Sequence, residues 1–271
     1  MPWYLCFILG VVQGITEFLP ISSSGHLVIM QTLFNLQTAD KALILFDCLL
    51  HIATLLAVVV FLGRSIIFLL KDVFDSNVTV RNGALKYIVM ILITTVITGI
   101  IGVMFKDTFE RVFNSAKVVA LLLIVNGTVI WFSQKVAAGR KVKELNKISI
   151  LDSLWIGIAQ GLAITPGISR SGSTISAAFV LGWSPVLAAE YSFLSSIPAI
   201  AGATLLELLK MEYSINPGMM LSFGIGMIAA FAIGFVSLKF LWGILIKRNW
   251  QVFAYYCWAT GLAMFVLFSI K

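Results

Sequence analysis

The sequence predicts an all-α polytopic membrane protein: six transmembrane helices plus two re-entrant helical hairpins related by an inverted-topology repeat. Three observations predict it. Of 271 residues, 60% are hydrophobic and 11% charged, with a mean hydropathy of +1.02, more apolar surface than a water-soluble domain can bury. Six apolar stretches reach the roughly 20 residues that cross a hydrocarbon core. Finally, one Gly/Gln/Pro/Ser pattern is written twice, each time in the middle of a further apolar region.

The first region, 3–35, carries Gly10-Val11-Val12-Gln13-Gly14 and then Pro20-Ile21-Ser22-Ser23-Ser24-Gly25-His26. Each apolar half is too short to span, so the region is expected to dip in and return; irregular backbone at membrane depth is tolerated where protein or a wet cavity surrounds it. Three spans follow at about 43–62, 84–104 and 116–133. The second interrupted region, 152–183, carries Gly157-Ile158-Ala159-Gln160-Gly161 and then Pro166-Gly167-Ile168-Ser169-Arg170-Ser171-Gly172. Spans at about 186–208, 218–243 and 250–270 complete one integral membrane domain over 1–271.

A shift of 147 residues carries Gly10 onto Gly157, Gln13 onto Gln160, Gly14 onto Gly161, Ser22 onto Ser169, Ser24 onto Ser171 and Gly25 onto Gly172. Three spans separate the two copies, so they enter from opposite sides, as repeats of approximately 1–133 and 152–271. Inverted repeats of this kind place a site near the midplane, where broken helix ends meet. A fainter echo pairs Phe46-Asp47 with Ala189-Glu190-Tyr191 at the openings of corresponding spans.

Basic residues set the orientation. Alternation puts twelve on one side (Arg64, Lys71, Arg81, Lys86, Lys135, Arg140, Lys141, Lys143, Lys147, Lys239, Lys247, Arg248) and six on the other (Lys41, Lys106, Arg111, Lys117, Lys210, Lys271). The richer side is expected to be cytoplasmic, with both termini outside. The net charge of +7 then reads as loops against anionic lipid, not as a nucleic-acid surface. Met1–Leu9 has no basic n-region, so no cleaved signal peptide is expected. Cys6, Cys48 and Cys257 lie in apolar surroundings without a CxxC spacing and read as small buried hydrophobes.

The chemistry concentrates in the two copies. Gln13 and Glu17, four apart, share a helix face. Pro20 stops that helix, and Ser22-Ser23-Ser24-Gly25 starts the next, placing Ser23 and His26 on one turn. Glu17, Ser23 and His26 can therefore converge. The second copy adds Gly167, Ser169, Arg170, Ser171, Gly172, Ser173 and Thr174. Amides at a helix N-terminus favour an anion, and a guanidinium matches phosphate oxygens in a bidentate fork. A lipid phosphate is the anion that requires such a site inside a membrane. Phosphoanhydride hydrolysis needs a nucleophile, a base and positive charge on the equatorial oxygens. Ser23 fits the nucleophile, His26 the base, Arg170 the charge, and Glu17 acid/base work or the holding of a divalent cation. Blander readings set Asp47, Asp107 and Glu190 as hydrated caps near span ends and His51 as a core histidine.

At these residues the chain resembles the bacitracin-resistance family of undecaprenyl-diphosphate phosphatases. Gln13 and Glu17 meet its first motif, Ser22 to His26 its Ser-Ser-x-Gly-His stretch, and Pro166 to Thr174 its Pro-Gly-x-Ser-Arg-Ser-x-x-Thr motif. The resemblance implies a multi-pass enzyme of the bacterial cell membrane. It would remove one phosphate from an isoprenoid diphosphate, recycle the carrier lipid of cell-wall synthesis and confer bacitracin resistance. It further implies a site open to the outer face and support by Mg2+ or Ca2+. Essential roles pass to Glu17, Ser23, His26 and Arg170, and phosphate lining to Ser169, Ser171 and Thr174; the two repeated stretches themselves add Gln13, Ser22, Ser24, Gly25, Gly167, Gly172 and Ser173 as substrate-binding candidates. Two departures stand out: Gln13 is not a second carboxylate, and Cys257 stands where members often carry an arginine. Ser176 replaces the nucleophilic histidine that the acid-phosphatase superfamily places six residues after its arginine, which excludes that mechanism. The rival class is a carrier for lipid phosphates or anions, since inverted repeats also build transporters; a scaffold is a distant third. A homo-oligomer stays open.

Overall fold

A computed structural model describes residues 1–36, 41–143, 148–210, 217–246 and 249–270. Lys147, Lys247, Arg248 and Lys271, four of the orientation-setting cations, lie outside the described residues. Among the described residues the chain forms twelve helices and no strand. In order these are α1 (Trp3–Thr16), α2 (Ser23–Leu33), α3 (Lys41–Phe61), α4 (Gly63–Asp72), α5 (Val78–Met104) and α6 (Lys106–Phe113), followed by α7 (Ala116–Ala138), α8 (Ile150–Leu162), α9 (Arg170–Val180), α10 (Pro185–Lys210), α11 (Pro217–Ile246) and α12 (Gln251–Ile270).

Six of them, α3, α5, α7, α10, α11 and α12, are long and apolar enough to cross a bilayer, and they coincide with the six stretches read from the sequence. The protein is a multi-pass membrane protein. Its helix starts are written locally: Asn77 accepts from the Thr79 amide at 3.0 Å, and Asp152 accepts from the Ser149 amide at 3.3 Å, each satisfying a donor that the helix leaves free. Two short helices, α4 and α6, were not foreseen. Each holds fewer than a dozen residues with charge at its ends (Arg64 and Lys71; Lys106, Asp107, Glu110 and Arg111), so a search for spans passes over them.

The packing of α1 and α8 positions everything else. The first lies chiefly against α11, and the second against α5. In the same crossed sense α3 packs on α11, α10 on α5, and α7 on α12. The duplicated glycines explain why. A Cβ at Gly10 would run into the Gly226 carbonyl of α11, and one at Gly14 would sit 2.8 Å from the Ala230 carbonyl. Gly157 and Gly161 repeat this on α5, where a Cβ would lie 3.1 Å from Thr94 Cα and 2.6 Å from Ile101 Cδ1. Small residues four apart let two backbones approach within membrane, where packing and not hydrophobicity drives association.

Asp47 is not the hydrated cap read from the sequence. It lies inside α3, half-buried, and both its oxygens accept from Gln31 Nε2, at 3.0 and 2.9 Å. The span begins earlier than its apolar run implies, because Lys41 and Ala42 already belong to the helix. Glu190 likewise sits half-buried within α10, whereas Asp107 is exposed in the first turn of α6.

Candidate active site

The two Pro/Ser/Gly elements are the turns of two helix–turn–helix units, α1–α2 and α8–α9. In the first, α1 gives way after Thr16 and the chain turns through Pro20 to the N-cap Ser22, whose φ is 69°. That left-handed value is rare for a residue bearing a Cβ and costs on the order of 1–3 kcal/mol. Two hydrogen bonds offset it: Ser22 Oγ accepts from the Gly25 amide at 3.2 Å and from the Gly167 amide, in the other turn, at 3.1 Å. In the second unit Gly167 takes φ +93°, and Ser169 Oγ accepts from the Gly172 amide at 3.0 Å. The matched serines Ser22 and Ser169 thus cap their helices in the same way.

The turns meet back to back. A Cβ on Gly25 would lie 3.0 Å from Gly167 Cα, and one on Gly172 would lie 3.2 Å from Pro20 Cβ. Ser171 Oγ donates to the Leu19 carbonyl at 3.4 Å and lies 3.1 Å from Ser169 Oγ. Ser24 Oγ is 3.4 Å from Ser22 Oγ. Ser22, Ser24, Gly25, Gly167, Ser169, Ser171 and Gly172 therefore build the seam that brings two helix N-termini, each carrying partial positive charge, to one place.

At that place stands Glu17, buried to 6% exposure. Its Oε1 accepts from Arg170 Nη2 at 2.5 Å. Its Oε2 accepts from Ser23 Oγ at 2.5 Å and from Gln13 Nε2 at 3.1 Å. His51 Nε2 lies 3.8 Å from the same oxygen. Charge-assisted hydrogen bonds of this length are the strong kind, and a carboxylate this deep requires them.

The sequence paired Ser23 with His26, but the Ser23 hydroxyl donates to Glu17. His26 Nδ1 donates to the Ser22 carbonyl at 2.8 Å, because a carbonyl can only accept. Its Nε2 lies 2.9 Å from the Tyr256 hydroxyl, with the two rings stacked at 5.7 Å. Thr174 turns from the cluster toward α10, with its Oγ1 donating to the Arg170 carbonyl at 2.9 Å and lying 2.5 Å from Ser192 Oγ. Ser173 is buried in the first turn of α9.

Three participants escaped the sequence reading. His51 has its Nδ1 fixed on the Asp47 carbonyl at 2.8 Å and its other nitrogen toward Glu17; its signal was its rarity, as one of two histidines in the chain. Asn126 of α7 bonds both turns. Tyr256 is placed by α12. As for a metal, no group of three or more His, Cys, Asp or Glu side chains is gathered among the described residues. Oxygen donors are nonetheless present: Glu17, and the buried Gln13 Oε1, which has no hydrogen-bond partner among the described residues.

A hydroxyl on a carboxylate and a guanidinium on its other oxygen, beside two helix N-termini, make an arrangement that can bind an anion and support phosphoryl transfer. Comparison with known proteins shows the family. The family described as Bacitracin resistance protein BacA matches residues 6–263. The undecaprenyl-diphosphatase of Carboxydothermus hydrogenoformans is 40% identical over 267 residues, covering 97% of each chain. That of Halothermothrix orenii is 40% identical over 266 residues, 97% of this chain and 96% of its own. That of Alkaliphilus metalliredigens is 36% identical over 280 residues and covers both chains completely. Matched along nearly its whole length, the chain belongs to the bacitracin resistance protein BacA family.

Proposed function

We propose that this membrane protein hydrolyses undecaprenyl diphosphate to undecaprenyl phosphate and phosphate, and so recycles a carrier lipid and supports bacitracin resistance. One observation carries the reading: Ser23 and Arg170 are held on the two oxygens of a single buried carboxylate, Glu17. Ser23 Oγ attacks the terminal phosphorus, its proton passing to Glu17. The Oγ–P bond forms as the bridging P–O bond breaks, and the electron pair leaves on the lipid monophosphate. Arg170, with four N–H donors beyond the one on Glu17, and the amides of α2 and α9 carry the charge of the equatorial oxygens. His26, its Nε2 facing Tyr256, is the remaining base, for the water that releases phosphate from Ser23.

A divalent cation, Mg2+ or Ca2+, fits the oxygen donors Glu17 and Gln13 Oε1, with phosphate oxygens and water completing the set. Bound there it would add positive charge beside the diphosphate. The crossed pairing of α1 with α11 and α8 with α5 supports an inverted repeat of 1–133 and 152–271, with α1–α2 and α8–α9 as re-entrant hairpins. The excess of cations on one side supports a site open to the outer face and both termini outside.

The test is phosphate release from farnesyl diphosphate by the purified protein, with Ser23→Ala and Arg170→Ala beside it. Turnover lost in both variants supports the reading. Wild-type protein that moves lipid in vesicles without releasing phosphate favours a carrier. Labelled phosphate trapped on Ser23 separates the covalent route from direct attack by water.

A further inference from the structure

Asn126 lies in the middle of α7, an apolar span, and is fully buried. It belongs to neither repeated element, yet its amide is bonded to both. Nδ2 donates to the Pro20 carbonyl in the first turn at 2.9 Å. Oδ1 accepts from the Ser169 amide, the N-cap of the second, at 2.9 Å. The orientation of the amide is fixed by chemistry, because a carbonyl only accepts and an amide N–H only donates. The same Nδ2 lies 3.3 Å from Cys257 Sγ on α12.

We propose that Asn126 is a positioning residue for the phosphatase reaction: it sets the separation and register of the two turns that bring Arg170 onto Glu17 and Ser23. The inference rests on the function proposed above. Ser169 immediately precedes Arg170, and Pro20 lies between Glu17 and Ser23, so each end of the amide grips the backbone within three residues of a reacting side chain. The support is stiff. At the next residue a Cβ on Gly127 would lie 2.8 Å from the Ala254 carbonyl, so α7 and α12 are in backbone contact here. The side chain is also short, with two torsions, and holds its bonds at little entropic cost. Other bonds across the seam, Ser22 with Gly167 and Ser171 with Leu19, come from the turns themselves. Among the described residues, Asn126 alone hydrogen-bonds both turns from one spanning helix.

The experiment uses the purified full-length protein with farnesyl diphosphate and the variants Asn126→Leu, which removes both bonds while keeping the branched shape of the side chain, and Asn126→Asp, which keeps the acceptor for Ser169 and sets a carboxyl oxygen against Pro20. Melting temperature is recorded for each. A displacement of about 1 Å between reacting groups costs about 100-fold in rate, so kcat of Asn126→Leu is expected to fall by that order, with Asn126→Asp intermediate. A double variant with Arg170→Lys supplies the readout that a general loss of folded enzyme would not move, because a lower active fraction multiplies with any other defect. Positioning predicts that the double variant is within about threefold of Arg170→Lys alone. Wild-type kcat in both Asn126 variants, or single defects that multiply in the double, overturns the proposal. Turnover that survives Ser23→Ala and Arg170→Ala instead removes the proposed roles of Ser23 and Arg170, whatever Asn126 does, and absence of phosphate release from the wild type removes the phosphatase reading itself.

Discussion

The Glu17–Arg170 pair bears on stability and, in the proposed mechanism, on catalysis, and the two can be separated. Arg170→Met leaves a carboxylate of 4% side-chain exposure without its counter-ion. Breaking a buried pair from one side costs about 3–5 kcal/mol. The lower end applies here, since Ser23 at 2.5 Å and Gln13 at 3.1 Å still donate to Glu17. About 3 kcal/mol corresponds to a fall in Tm of about 6–12 °C for a chain near this size. Adding Glu17→Gln removes the stranded charge, and replacing a whole buried pair by neutral groups is close to neutral. The double variant is therefore expected to recover to within about 4 °C of wild type while remaining inactive. The assay is tryptophan-fluorescence melting in detergent, beside phosphate release. If Arg170→Met melts with wild type, or the double variant loses the sum of the two single effects, the pair does not bear on folding as argued.

Three other outcomes are expected. Ser23→Ala should lower kcat for farnesyl diphosphate by at least about 100-fold, while retaining binding of a non-hydrolysable diphosphate measured by calorimetry. Gly10→Val should push α1 off Gly226 and cost about 1–3 kcal/mol, read as a lowered melting temperature, whereas Gly99→Ala, with nothing within 4 Å of its Cβ, should not lower it. Chelation should abolish turnover and added Mg2+ or Ca2+ restore it; Gln13→Leu, which removes the unpartnered Oε1, should raise the cation concentration needed for half-maximal rate, and an unchanged requirement would exclude Gln13 as a ligand.

The spans were legible because hydrocarbon thickness imposes a length on any helix that crosses it, and residues 43–62 or 116–133 meet that length in composition alone. The site was legible in part, because duplication repeats polar residues, such as Ser22 and Ser169, that an apolar chain otherwise avoids. The partners of those residues were not legible. Ser23 lies three residues from His26 and six from Glu17, and sequence distance favours the imidazole. The turn at Pro20 reverses that order by folding Glu17 back over the start of α2. Asn126 and His51 were hidden for a related reason: each lies in an apolar span outside the repeated stretches, and only the crossing of helices shows what it faces. Gly10 and Gly157 were seen as markers of the repeat, yet their role depends on α11 and α5, which no local pattern connects to them.

The contact between Gly10 and Gly226 also bears on how the protein is made. The surface that receives α1 lies about 200 residues downstream, so at the usual pace of synthesis the first hairpin waits on the order of 10–40 s for it. Throughout that interval its unmatched glycine face and Glu17 must be sheltered by the insertion machinery or held at the bilayer surface. Completion of the proposed catalytic cluster is thus a late, post-insertion event, and a ribosome stalled before α11 would release a chain already anchored by four spans or fewer but without an assembled centre.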